Sequence, residues 1–147
     1  MMAQIAMAQN DRARAISELE ALLQYAHTDL DSARLLAKEL EQAGGNNSPR
    51  LRPAYERIAA LDPFDAANHS ALGRLQLQGK DAPNAARSFR AALAAGALDS
   101  AAANADLAEA YLAAGDKVQA KRAALAAIEV APGYQRAQDL LLKLVAQ

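Results

Sequence analysis

A skeleton of leucines and small residues recurs along this chain, and the recurrence narrows the possible folds more than any other feature. In the last complete copy, Leu107-Ala108 is followed by Tyr111, Gly115, Ala120, Ala124, Ala127 and Pro132; one copy earlier, Leu72-Gly73 leads to Ala85, Phe89 and Ala92. The step from the leucine to the first small residue is 13 positions in both (72 to 85, 107 to 120), and the leucines themselves stand 35 apart. Self-similarity at such a period marks architectures in which each unit is one supersecondary piece that buries its apolar face against the next.

Two further copies precede these. Leu36-Ala37, Leu40 and Gly44 lead to Leu51, Tyr55, Ile58 and Pro63, with a leucine-to-leucine step of 15 (36 to 51). The extra length falls in Gly44-Gly45-Asn46-Asn47-Ser48, a run of turn formers where an insertion is tolerated. Ala15, Leu19 and Leu22 repeat the second half of the skeleton once more, so a fourth copy is present but truncated. Within each copy the apolar residues keep the 4-then-3 spacing of a helix face, so a unit reads as two helices joined by a tight turn. The helices are expected near 2–9, 11–26, 30–43, 50–61, 66–78, 82–95, 101–114 and 117–130, with a ninth over 135–146. Gly115-Asp116 ends one helix and caps the next, with Gln119 completing a capping box, and Ser48-Pro49 is a comparable start. Pro53 requires either that its helix begin near Leu51 or that it bend there.

The composition agrees with close helix packing. Hydrophobic residues make up 52% of the chain but aromatics only 4%, because much of the apolar content is alanine. Alanine costs little side-chain entropy in a helix and lets neighbouring backbones approach, whereas strands draw on β-branched and aromatic residues.

With its leucine-small pair, later alanine, aromatic four residues on and terminal proline, the skeleton resembles the tetratricopeptide repeat (TPR) family. The resemblance covers nearly the whole chain and is strongest from Leu107 to Pro132. It departs from the pattern at Gln76, where an aromatic is expected, and at Ala97 in place of proline; tryptophan is absent throughout. It implies an all-α, right-handed superhelical α-solenoid of about three and a half repeats. We expect one domain over 1–147: a partial repeat over 1–29, repeats over 30–65 (with the insertion at 44–49), 66–100 and 101–134, and a capping helix over 135–147.

The same resemblance implies that first helices line a concave groove holding a peptide or helix of another protein. The inward residues are then Arg34, Lys38, Arg74 and Gln78 from the earlier units and Asp106, Glu109 and Leu112 from the last. An acidic stretch of partner is expected against Arg34, Lys38 and Arg74. The lysine, asparagine and arginine clamp by which some TPR proteins hold heat-shock chaperone tails is not matched, since the aligned places carry Ala71, Ala102 and Asp106. The chain also opens partway through a repeat, Met2-Ala3 and Ala6 matching the leucine-small pair and its follower. That leaves two expectations: self-association through this end, or a C-terminal TPR arm of a longer protein such as a bacterial enzyme.

Other functions lack their residues. Sixteen basic residues against 17 acidic give a net charge of −1 with no block of like charge, which speaks against nucleic acid, including the RNA-reading pentatricopeptide alternative. With no cysteine there is neither a disulfide nor a thiolate nucleophile. His27 and His69 lack metal-ligand spacing and read as surface or capping residues, the glycines form no phosphate loop, and none of the six serines sits in a nucleophile elbow. Tyr55, Phe89 and Tyr111 fall at core positions. No enzyme, cofactor or metal is expected, nor a membrane span; the residues leave the compartment open, and a cytoplasmic setting is the expectation, the chain as given showing no apolar leader.

Overall fold

The computed structural model describes residues 11–45 and 48–146. Among them lie eight α-helices and no strand: α1 (Arg12–Tyr25), α2 (Leu30–Gly44), α3 (Leu51–Leu61), α4 (Ala66–Gln78), α5 (Ala82–Ala94), α6 (Ser100–Ala113), α7 (Lys117–Val130) and α8 (Gln135–Val145). The helix expected over 2–9, at the end expected to self-associate, lies outside the described residues, while the rest of the partial repeat expected over 1–29 holds α1. The chain divides into two compact units, Met1–Pro63 and Phe64–Gln147.

In unit 1, α2 packs against both α1 and α3. Its core is Ile16, Leu19 and Leu23 from α1, Leu36 and Leu40 from α2, and Leu51, Tyr55 and Ile58 from α3, all buried. The helix expected from Ser48-Pro49 starts later, at Leu51, where Leu51 N–H donates to the Ser48 carbonyl at 3.1 Å. Pro53 is therefore the third helical residue. Its missing N–H is one the first turn leaves unpaired anyway, so no bend is needed.

In unit 2, consecutive helices pack side by side from α4 to α8, and the alternate helices α4, α6 and α8 also touch in that order. Small residues allow this closeness: Ala85, Ala105, Ala108, Ala110, Ala124, Ala127 and Ala137 are fully buried, with Phe89 the large side chain at the centre. Gly73 shows how tight the fit is. A Cβ built there would lie 2.7 Å from Phe89 Cε1, inside any real contact, so the leucine-glycine pair is fixed by the ring of the following helix. Tyr111, expected in the core, is only partly buried at its margin, and His69, expected at the surface, is buried.

Aspartate starts most of these helices. Asp11, Asp29, Asp65, Asp99 and Asp116 are N-caps whose carboxylates accept from the amide three residues on, at 2.9–3.2 Å. Each satisfies a donor the first turn cannot pair, and its charge suits the positive end of the helix dipole. At Asp116 this is one half of the expected capping box; its own N–H donates instead to the Tyr111 carbonyl at 2.9 Å, closing the end of α6.

Candidate peptide-binding site

Arg74, Asp106, Glu109 and Arg136 meet on the side of unit 2 built from α4, α6 and α8. Asp106 and Glu109 stand three residues apart on α6 and therefore share one of its faces. Arg74 reaches from α4, donating from Nε and Nη2 to Asp106 Oδ2 at 3.3 and 3.1 Å. Arg136 reaches from the first turn of α8. Its Nη2 lies 2.6 Å from Asp106 Oδ1 and 2.8 Å from Glu109 Oε2, and its Nε donates to Glu109 Oε1 at 2.9 Å.

The four groups differ sharply in their access to water. The Asp106 side chain is 5% exposed, so its charge is sustained by a guanidinium on each oxygen. Arg74 is 56% exposed, Arg136 38% and Glu109 37%, so these three form the rim. The hydrogen bond to Glu109, and then those to Asp106, raise the Arg136 pKa above even its usual high value; burial opposes this but does not prevail. Arg136 therefore stays cationic at every working pH.

These residues, with Leu77, Gln78 and the fully buried Phe89 behind them, line a pocket of about 490 Å³. Arg74 is also shared with a second concavity of about 300 Å³, lined by Ala66, Ala67, Ala97, Leu98, Ala102 and Ala103 among others. Leu98 is fully exposed.

Four of the residues expected in a groove, Arg74, Gln78, Asp106 and Glu109, are thus brought together. Asp106 lies at the pocket floor beneath the guanidiniums, while Leu112 packs partly against the apolar core. Arg34 and Lys38 belong to unit 1, both exposed on α2, and Arg34 Nη2 lies 2.8 Å from Asp62 Oδ2. Sequence reasoning misses Arg136, because α8 reads as a capping helix with its polar residues in solvent. The signal available is the acidic pair three residues apart on α6, which needs cations from both flanking helices.

Among the described residues no group of three or more histidine, cysteine, aspartate or glutamate side chains could hold a metal ion. No helix there is long and apolar enough to cross a membrane.

No family model matches the sequence. No curated protein matches it either. Solved structures do share its fold. A crystal structure of MamA matches with a TM-score of 0.75 over 98% of this chain and 82% of its own, at 19% identity. YrrB, a TPR protein with an unusual peptide-binding site, matches with a TM-score of 0.68 over 93% of this chain and 69% of its own, at 16% identity. A thermophilic TPR protein from Thermus thermophilus gives 0.61 over 99% and 78%, at 18% identity. The fold is that of the tetratricopeptide repeat, an all-helical solenoid.

Proposed function

We propose that the chain is a non-enzymatic interaction scaffold that holds a peptide or a helix of another protein against the α4, α6 and α8 face of unit 2. The observation that carries this reading is the convergence of partly exposed polar groups from three alternate helices around one pocket that Leu77 also lines. Recognition of an extended chain needs both: apolar pockets supply area, and a few placed polar groups fix register. Catalysis needs something different, namely titratable groups poised to exchange protons or attack. Here the carboxylates and guanidiniums are already paired with one another, which suits binding rather than chemistry. The peptide-binding site of YrrB supports the reading as a precedent on the same fold.

We further assign the partner segment an acidic character, met in unit 2 by Arg74 together with Arg136. One exposed charge pair contributes only about 0.2–1 kcal/mol, so several must act together to matter. Screening the purified chain against a peptide array, and then measuring the retained peptides with an Arg74→Gln variant, tests both parts. Retention of acidic peptides, weakened in the variant while its helical circular dichroism is unchanged, is the expected result. Equal affinity of the two proteins contradicts the acidic assignment, and an array that retains nothing contradicts the scaffold.

A further inference from the structure

Two carboxylates serve two arginines in the unit 2 pocket, but they are not equivalent. Asp106 is buried and commits each oxygen to a different guanidinium, so it is a fixed part of the fold. Glu109 sits at the rim, and both of its oxygens go to Arg136 alone. Arg74 bonds through Nε and Nη2, both to one oxygen of Asp106; its Nη1 takes part in neither contact, and more than half of its side chain faces water.

We propose that Arg136 and Arg74 form a binding site for the side-chain carboxylate of an acidic residue in the partner, and that Glu109 is a built-in competitor for it. The proposal rests on the peptide-scaffold reading above and names the chemistry of its site. An entering carboxylate takes Arg136 Nε and Nη2 from Glu109, which swings into solvent, and reaches the unused edge of Arg74. The exchange replaces one charge-assisted pair with another, so the electrostatic gain is small in the native chain and the site discriminates rather than grips. The adjoining concavity shares Arg74 and is lined by Ala66, Ala67, Ala102 and Ala103 alongside Ser70 and Asp99, and its alanines fit a small aliphatic side chain. The occupant is therefore a segment carrying glutamate or aspartate next to an aliphatic residue. Its terminal carboxylate plays no part.

Glu109→Gln tests this without dismantling the pocket, because the amide oxygen still accepts from Arg136 Nε while the competing charge is gone. Fluorescence anisotropy would be measured with two labelled peptides, both N-acetylated and C-amidated, identical except for glutamate or glutamine between a leucine and an alanine. E109Q should bind the glutamate peptide about five- to tenfold more tightly than the native chain, an advantage that fades with added salt, and should leave the glutamine peptide unchanged. Glu109→Ala, which also removes the competitor, should show the same preference. Equal strengthening for both peptides, or none for either, overturns the proposal and makes Glu109 only a structural brace. Binding of both peptides with equal affinity by every variant overturns the carboxylate site while leaving the scaffold reading intact. Failure of both peptides to bind overturns it too, and the scaffold then stands or falls by the array.

Discussion

Gln76 is where this chain departs most instructively from the pattern it resembles. It occupies a place expected to hold an aromatic, and it is buried, accepting from Ser88 Oγ at 2.7 Å across the α4–α5 contact. The departure is visible in the sequence, but its resolution is not. Ser88 lies twelve residues further on, and only the packing of α5 on α4 shows that the two polar groups satisfy each other. Ser88→Ala should cost about 1–3 kcal/mol, because it strands the buried amide oxygen, whereas Gln76→Leu combined with Ser88→Ala should recover most of that loss. Urea unfolding of the two single variants and the double variant measures the coupling directly; additive losses would mean that the bond contributes nothing of its own. Phe89 and Gly73 are the opposite case. Both are legible from their repeat positions, since the ring and the missing Cβ are two sides of one contact.

Helix existence follows from the 3.6-residue periodicity, and the observed helices fall within two residues of the expected ends wherever residues are described. What the pattern underdetermines is termination. Three turns in unit 2 close in the same way: Lys80, Gly96 and Gly115 all have positive φ, at 61°, 83° and 81°, and the next residue's N–H returns to a carbonyl five residues back. Glycine takes that conformation freely and lysine does not. Lys80→Gly should therefore stabilise the chain by about 0.5–1 kcal/mol, read as a higher midpoint in urea; a lower midpoint would show that the lysine side chain contributes more than its backbone costs.

Most of the aspartate N-caps are hard to see in the sequence, because one residue three positions before an ordinary amide leaves little trace in a periodicity. Asp29 offers a test by pH. Its carboxylate accepts from the Ser32 hydroxyl and amide, in that order of effect, and these bonds lower its folded pKa below the usual aspartate value of 3.8. A folded pKa below the unfolded one means stability that is present above the unfolded value and lost as pH falls through the folded one. The stability gap between the native chain and Asp29→Ala should accordingly be constant near neutrality and shrink below about pH 3.8. A gap that persists undiminished at pH 2 would rule out the carboxylate as its source.

At the scale of the whole molecule, the repeat carries the architecture but only part of the site. Positions on α4 and α6 can be placed by register, and the structure brings Arg74, Gln78, Asp106 and Glu109 to one pocket. Register has nothing to say about a helix outside the repeat, so it cannot place Arg136. Nor does it distinguish a rim carboxylate from a buried one: Asp106 and Glu109 are one helical turn apart, yet only Asp106 is beyond the reach of a partner. That difference follows from which neighbours close over the turn, α4 on one side and α8 on the other.

Every functional reading above depends on the α4, α6 and α8 face being the surface that holds a partner. Backbone amide chemical-shift mapping of a peptide selected on the array reads this most directly. The largest shifts are expected within 70–78 on α4, 102–112 on α6 and the first turn of α8. Shifts confined to α5 and α7, with those segments unmoved, would contradict it.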